Sequence, residues 1–82
     1  MKDKTWYVYM VRCKNNALYT GIAIDVKARV KTHNDGKGAK SVKALGLPVK
    51  LVYKEKVGTC REALKRECAI KKMKKKDKEK LI

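Results

Sequence analysis

Apolar residues begin with two short runs near the start of the chain. Residues 6–13, WYVYMVRC, are almost unbroken in apolar character and rich in Val and Tyr, which is typical of a strand buried on both faces. Lys14-Asn15-Asn16 then supplies turn residues, because Asn tolerates a positive φ and its side chain bonds nearby backbone groups. Residues 17–24, ALYTGIAI, form the second run. The pattern predicts a β-hairpin.

A helix is predicted directly after the hairpin. Asp25 is a suitable N-cap, and in residues 26–34, VKARVKTHN, the apolar Val26 and Val30 are four residues apart, so they lie on one side of a helix. The segment 36–48, GKGAKSVKALGLP, is rich in Gly and Lys and ends in Pro. Its composition predicts a loop.

The second half of the chain predicts a strand followed by a helix. Residues 49–57, VKLVYKEKV, alternate, with Val49, Leu51 and Tyr53 on one face and a wetter opposite face. Thr59 and Glu62 have the spacing of a capping box, which predicts a helix from there to about residue 73. The basic end, residues 74–82, is either a further short helix or a frayed, solvated tail.

These elements predict a single α+β domain over residues 1–82. It would contain a three-stranded mixed or antiparallel sheet and two or three helices, in the order β-β-α-β-α(-α). A chain of 82 residues buries only about 60% of its unfolded surface, so the core must be thin.

Net charge indicates the class of partner. The chain has 23 Lys and Arg against 8 Asp and Glu, a formal charge of +15, which favours a polyanion. Nucleic acid is the first candidate and an anionic membrane surface the second, but no apolar run approaches the ~20 residues of a spanning helix. The first ten residues, MKDKTWYVYM, do not fit a signal peptide. We expect a cytoplasmic monomer that binds nucleic acid and no membrane.

The three cysteines do not suggest a disulfide framework. Cys13, Cys60 and Cys68 are odd in number and contain no Cys-x-x-Cys pair, so reduced, packed thiols are predicted. A zinc site that includes His33 is the alternative, although the spacing matches no familiar ligand pattern.

A carboxylate interrupts the apolar side of the second predicted helix. Glu67 falls in the middle of an arc formed by Cys60, Ala63, Leu64, Cys68 and Ile70. A buried unpaired charge is costly, so such a group usually neutralises, pairs or binds a metal. Glu67 is therefore either a functional carboxylate or the partner of Lys71, four residues on.

Polar groups also lie beside the apolar stripe of the first helix. Arg29 and His33 are four residues apart and share the side of Val26 and Val30. A lone helical His is commonly structural and an Arg in so basic a chain is commonly solvated. A guanidinium held beside a buried stripe is equally a ready donor fork for phosphate oxygens.

Two tyrosines of the hairpin form a third candidate group. Tyr9 and Tyr19 project from the same side of the sheet if paired residue numbers sum to an even value, which requires an odd-length loop. Simple packing with satisfied hydroxyl groups is the alternative for each ring.

Together these residues resemble the GIY-YIG nuclease domain. Tyr7-Val8-Tyr9 stands where that family has Gly-Ile-Tyr, and Tyr19-Thr20-Gly21 stands where it has Tyr-Ile-Gly. Arg29 matches the arginine of its first helix, His33 the histidine one turn on, and Glu67 the glutamate of its Glu-x-x-Ile-Lys segment. The resemblance covers residues 6 to about 73 and is strongest to the small stand-alone bacterial proteins of the family.

The resemblance implies a metal-dependent endonuclease that hydrolyses phosphodiester bonds of DNA, or less commonly RNA. Glu67 would hold one divalent ion, Mg²⁺ or Mn²⁺, and Arg29 would neutralise charge on the phosphoryl oxygens. Tyr9 would act as general base or orient the attacking water, with Tyr19 and His33 bonding the same water or phosphate. A phenol with a pKa near ~10 is a poor base unless a cation lies close.

Basic residues outside this set are candidates for contacts with the phosphate backbone, which position a substrate without reading its sequence. They are Lys37, Lys40, Lys43, Lys71 and Lys72. The tail lysines at 74–76 are equally a solvated end.

Departures from the family pattern keep two other functions open. Tyr7 replaces the leading glycine, Thr20 replaces an isoleucine, and no asparagine matches the one that follows the glutamate in several active members. The alternatives are a non-catalytic nucleic-acid-binding protein with the same fold, and an interaction module bound to the ribosome or another partner.

Overall fold

The most apolar run of the chain forms the central strand of a three-stranded sheet. A computed structural model describes residues 4–38 and 40–82. Its strands are β1 (Trp6–Arg12), β2 (Leu18–Ala23) and β3 (Lys50–Gly58), in the order β2-β1-β3, and both pairings are antiparallel. Val8, Tyr9, Met10 and Val11 are all buried. The prediction of a strand buried on both faces is confirmed.

Helices cover both faces of the sheet, giving the α+β architecture that the sequence predicts. The described helices are α1 (Val26–Asn34), α2 (Lys40–Leu45), α3 (Cys60–Lys71) and α4 (Lys75–Glu79). Helix α2 lies inside the segment predicted to be a loop, so that prediction is wrong there. Its Val42 is buried against the sheet. Burial of one apolar side chain stabilises a short helix that composition alone disfavours.

The turn of the hairpin sets its register. Residues 13–17 connect the strands, with Asn16 at φ 72° and the Asn15 Oδ1 accepting a 3.0 Å hydrogen bond from the Ala17 N–H. Tyr9 pairs with Gly21 and Val11 with Tyr19, so paired numbers sum to an even value. The rings of Tyr9 and Tyr19 therefore project from the same face.

Both predicted helix starts are confirmed by their caps. The Asp25 carboxylate accepts a 3.1 Å hydrogen bond from the Ala28 N–H at the start of α1. At α3 the Thr59 hydroxyl accepts from the Glu62 N–H at 3.2 Å, and the Glu62 carboxylate accepts from the Thr59 N–H. Each bond satisfies a backbone donor that the first turn leaves without a partner.

The two faces of the sheet have separate cores. On the face that carries Tyr9, the helices contribute Val26 of α1 and Val42 of α2. Asn34 fixes the end of α1 there, because its side-chain amide bonds both the N–H and the carbonyl of Val49, at 2.6 and 3.2 Å. On the opposite face, Ala63 and Ile70 of α3 pack against Val8 and Met10 of β1.

An irregularity in β3 corrects the predicted alternation of that strand. Met10 pairs with Tyr53 but Val11 pairs with Leu51, so the register shifts between them. As a result Leu51 packs in the core of the Tyr9 face, whereas Tyr53 packs on the α3 side. The prediction that Leu51 and Tyr53 share a face is wrong, because a bulge reverses the alternation at that point.

Helix α3 is rotated relative to the predicted apolar arc. Ala63 and Ile70 are fully buried and Glu67 is half-buried between them, while Leu64 is 50% exposed. Cys60 and Cys68 are also exposed free thiols, and only Cys13 is packed as predicted. The helix turns Ala63, Glu67 and Ile70 toward the sheet, whereas Leu64 and the two cysteines of the predicted arc are exposed.

The basic end of the chain includes a docked helix. Arg12 of β1 forms a two-pronged ion pair with Glu79 of α4, with N–O distances of 2.9 and 2.5 Å. Leu81 packs against the core of the α3 face. Of the two alternatives for residues 74–82, the short helix is the correct one.

Replacement of Thr20 by valine is expected to stabilise the fold. The Thr20 hydroxyl is buried and finds no hydrogen-bond partner within residues 4–38 and 40–82. Such an unsatisfied group costs about 1 kcal/mol or more, so T20V should raise the free energy of unfolding by about 1 kcal/mol in urea denaturation. The control is T32V, because the Thr32 hydroxyl donates to the Ala28 carbonyl at 2.9 Å. A destabilised T20V would contradict this account.

Candidate active site

Gly21 makes room for the buried tyrosine at the centre of the site. Tyr9 is 1% exposed and lies across the hairpin from Gly21. A Cβ at position 21 would stand 2.7 Å from the Tyr9 Oη and 2.8 Å from its Cζ. Only glycine allows the ring to lie over the backbone of β2, and this close approach fixes where the phenol points.

The phenol of Tyr9 meets a buried histidine of α1. The Tyr9 Oη and the His33 Nε2 are 2.9 Å apart, and His33 is 1% exposed. The other ring nitrogen, Nδ1, has no hydrogen-bond partner in the described part of the chain. Gly38 packs so closely on the imidazole that a Cβ there would stand 2.1 Å from Nδ1. The ring is thus held between α1, Tyr9 and the backbone of Gly38.

Burial sets the protonation of both partners. Loss of solvent raises the pKa of Tyr9, and the nearby Tyr19 and Glu67 act in the same direction, whereas Arg29 opposes the rise. Burial and the positive charge of Arg29 lower the pKa of His33 below its ordinary value of 6.5. At neutral pH the pair therefore consists of a protonated phenol and a neutral imidazole. Tyr9 can release its proton only if another group takes it, and His33 Nε2 is within hydrogen-bond distance.

Tyr19 extends the group toward α3. Its ring meets the His33 ring edge-on, with 5.5 Å between centroids and an angle of 70°. The Lys71 Nζ lies 6.0 Å from the Tyr19 centroid, and it also lies 3.6 Å from the Glu67 Oε2. A continuous line of contacts consequently links the buried histidine to the carboxylate on α3.

Arg29 lies on α1 one turn before His33 and is half-buried. Its charge influences both Tyr9 and His33. Within residues 4–38 and 40–82 its guanidinium forms no ion pair with a carboxylate. The fork is therefore available to phosphate oxygens beside the Tyr9 hydroxyl.

Glu67 has the chemistry of a Mg²⁺ ligand, although it already has a partner. Its side chain is 19% exposed, and the ion pair with Lys71 is the structural alternative that the sequence left open. Lys71 is half exposed, and such pairs contribute little to stability, so the carboxylate can exchange partners at low cost. The described residues contain no cluster of three or more Cys, His, Asp or Glu. One carboxylate with substrate phosphates and waters nevertheless suits Mg²⁺, whereas zinc needs more protein ligands.

The predicted phosphate-contacting lysines are all exposed. Lys37 follows α1, Lys40 and Lys43 lie on α2, Lys71 ends α3 and Lys72 caps it. Two features escaped the sequence analysis. One is the close approach of Gly38 to His33, which depends on tertiary packing and has no signal in the local sequence. The other is Lys54, whose Nζ lies 5.5 Å from the centroid of the Tyr7 ring. The alternating pattern of β3 already indicates that Lys54 is on its polar face.

His33 should make stability depend on pH near neutrality. Its pKa is lowered in the folded state, so between that value and 6.5 the unfolded chain binds more protons. The free energy of unfolding should be highest above pH 6.5 and should decrease as the pH falls from 6.5 through the lowered pKa of folded His33. His33 is the chain's one histidine, so H33Q should flatten this slope in urea denaturation at each pH. An unchanged slope would show that another group is responsible.

The antiparallel sheet, the two tyrosines on one of its faces and the α1 and α3 residues around them are typical of a GIY-YIG domain. A profile of the GIY-YIG catalytic domain matches residues 5–80. The chain therefore belongs to the GIY-YIG nuclease family, as its motifs predict. Within residues 4–38 and 40–82, no helix has the length and apolar character needed to cross a bilayer.

Similar proteins carry the name UPF0213. The UPF0213 protein SH2523 of Staphylococcus haemolyticus is 50% identical over 76 residues, which cover 93% of this chain and 92% of that protein. The UPF0213 protein YazA of Bacillus subtilis is 46% identical over 79 residues, covering 96% and 79%. The solution NMR structure of the UPF0213 protein BH0048 from Bacillus halodurans is similar with a TM-score of 0.59 and 36% identity, covering 94% and 81% of the two chains.

Proposed function

We propose that this protein hydrolyses phosphodiester bonds of nucleic acid, DNA in preference to RNA, with one Mg²⁺ or Mn²⁺ ion held by Glu67. The observation that carries the proposal is the buried Tyr9–His33 contact of 2.9 Å, with Arg29 and Glu67 acting on the same phenol. The phenol thus contacts a neutral imidazole and feels the charges of a guanidinium and a carboxylate. Simple packing of a tyrosine does not require this set of charges.

The chain's own groups would divide the reaction as follows. The Arg29 fork binds the non-bridging oxygens of the scissile phosphate, where negative charge grows in the transition state. The Tyr9 Oη orients the attacking water and accepts its proton as the phenolic proton passes to His33 Nε2. His33 can accept that proton because burial and Arg29 keep it neutral at pH 7. Tyr19 holds the imidazole from its edge.

Glu67 would be released from Lys71 when the ion binds. The ion, when bound, supplies Lewis-acid stabilisation of the leaving oxygen. Lys71 is then free to contact the nucleic acid backbone, together with the exposed lysines on and around α2. The formal charge of +15 attracts a polyanion to the protein as a whole.

A non-catalytic nucleic-acid-binding role is the second candidate. The observation that favours it is the existing Glu67–Lys71 ion pair, which gives the carboxylate a structural explanation. Both functions predict binding that weakens steeply with salt, because phosphate contacts release counterions. A flat salt response would argue against both of them.

Cleavage assays separate the two functions. Plasmid, single-stranded DNA and RNA are incubated with the wild type, E67Q and the control D35N, in Mg²⁺, Mn²⁺ or chelator. D35N removes one exposed carboxylate at the end of α1. A nuclease requires metal-dependent cleavage by the wild type and D35N that E67Q loses. Equal binding by all three proteins with no cleavage under any condition would instead support the binding role.

A further inference from the structure

A cavity opens on the same face of the sheet as Tyr9. It has a volume of about 390 Å³ and lies where the start of α1 meets the sheet. Its lining residues are Tyr7, Ile24, Asp25, Val26, Lys27 and Lys54. Pockets that bind small ligands have volumes of roughly 300–1,000 Å³, and this cavity lies within that range. None of the roles described for the cleavage site uses this cavity.

The cavity adjoins the cleavage site. Tyr7 and Tyr9 are two residues apart on β1, a separation of about 7 Å in an extended strand. Lys54 pairs with Tyr9 across β1 and β3. Val26 begins the same helix that carries Arg29 one turn later. A nucleic acid strand with one phosphate at Arg29 would therefore place a neighbouring nucleotide at the cavity.

The walls combine an aromatic ring, apolar surface and cations. Tyr7 is partly exposed, and Ile24 beside it is 39% exposed, although most isoleucines are buried. The Lys54 Nζ lies 5.5 Å from the Tyr7 centroid, and this contact of an exposed ammonium is weak enough to be exchanged for a phosphate. Rings beside cations are how proteins bind single strands, with bases on the rings and phosphates on the cations.

Asp25 places a negative charge at one side of the cavity. One of its carboxylate oxygens accepts from the Ala28 N–H, and the group's negative charge disfavours a phosphate next to it. A phosphate is consequently directed toward Lys27 and Lys54. The apolar wall of Tyr7, Ile24 and Val26 is left for a base.

We propose that this cavity is a subsite for one unpaired nucleotide flanking the scissile phosphate, with its base stacked on Tyr7 and its phosphate paired with Lys54 or Lys27. The proposal rests on the proposed function and specifies its substrate class. A base that is stacked and paired in a duplex would have to flip out of the duplex before it could enter a cavity between α1 and the sheet. A single-stranded nucleic acid is therefore the favoured substrate.

The test is equilibrium binding in chelator, which prevents cleavage. Fluorescence anisotropy would follow a labelled oligothymidylate of about 12 nucleotides, the same length of duplex, and an all-abasic strand. Y7L keeps an apolar side chain but loses the ring, and Y7F keeps the ring. We expect Y7L to weaken single-strand binding about 10-fold, while Y7F stays close to wild type. Duplex and abasic affinities should be the same for all three proteins.

Three outcomes would overturn the subsite. The first is that Y7L binds the single strand with wild-type affinity. The second is that Y7L loses the same amount of affinity for the single strand, the duplex and the abasic strand. The third is that micromolar thymidine monophosphate displaces the oligonucleotide. The last would assign the cavity to free nucleotides. If single-strand affinity depends on the Tyr7 ring but no metal supports cleavage, the subsite is kept and the proposed nuclease activity is rejected. The two failures are therefore distinguishable.

Lys54 provides an independent check on the phosphate half of the subsite. K54Q and the control K65Q, on the exposed side of α3, each remove one charge from the surface. K54Q should reduce the slope of the logarithm of single-strand affinity against the logarithm of salt concentration by about one. K65Q should reduce this slope less. Equal slopes for the two variants would remove Lys54 from the proposal.

Discussion

The G21A variant is expected to lose about 3 kcal/mol of stability, together with any cleavage activity. The added methyl group would stand 2.7 Å from the Tyr9 Oη and 2.8 Å from its Cζ, closer than real Cβ contacts allow. Tyr9 cannot swing aside, because it is 1% exposed and bonded to His33. Overpacking of a well-packed core costs typically 1–3 kcal/mol, and here it displaces the central group of the site as well.

Urea denaturation measures this loss, and G36A is the matched control. No heavy atom lies within 4 Å of a Cβ built at Gly36, but its φ is +77°, so alanine there strains only the backbone. G36A should lose about 1 kcal/mol. If G21A were no less stable than G36A, the close approach of Tyr9 to β2 would be wrong.

The R29Q variant is expected to cleave about 100- to 1,000-fold more slowly than the wild type, since that is the usual effect of removing a preorganised donor at the developing charge. Binding should change little, because Arg29 is one of 23 basic residues. R29K should recover only part of the rate, since an ammonium cannot form the two parallel bonds of a guanidinium.

Single-turnover cleavage with saturating protein measures the R29Q effect without interference from binding. R61Q is the control, because Arg61 is an exposed arginine on the first turn of α3. Equal rates for R29Q and R61Q would mean that Arg29 contributes charge alone and has no special place at the phosphate.

Much of the fold follows from local rules. The unbroken apolar run predicts a central strand, and Asp25 and Thr59 predict two helix starts to within one residue. Each of these signals concerns neighbouring residues and is independent of what packs on them. The prediction of a shared face for Tyr9 and Tyr19 was conditional on loop length, and residues 13–17 satisfy the condition.

The rest required tertiary structure. Helix α2 exists because Val42 finds a place on the sheet, and composition could not show that place. The bulge beside Met10 reverses the faces of β3, and periodicity assumes no bulge. Helix α3 buries Ala63 and Ile70 and leaves Leu64 half exposed, and the apolar pattern of the helix does not show which part of its arc faces the sheet.

In the candidate site, too, the sequence predicts some features and tertiary packing determines the others. Sequence and resemblance indicated Tyr9, Tyr19, Arg29, His33 and Glu67. They could not show that burial raises the pKa of Tyr9 or that its hydroxyl lies 2.9 Å from His33 Nε2, the contact on which the proposed proton transfer depends. They also could not show that Gly38 closes over the imidazole, because that contact joins a helix to a loop through packing alone.

The most direct test of the central claim is the single-turnover cleavage rate of Y9F in Mg²⁺. This variant removes one oxygen atom and leaves the ring that packs over Gly21. The control is Y53F, since the Tyr53 hydroxyl donates to Glu55 on the opposite face. We predict that Y9F is slower than wild type by about 100-fold or more and that Y53F stays close to the wild-type rate. Cleavage by Y9F at the wild-type rate would contradict the account.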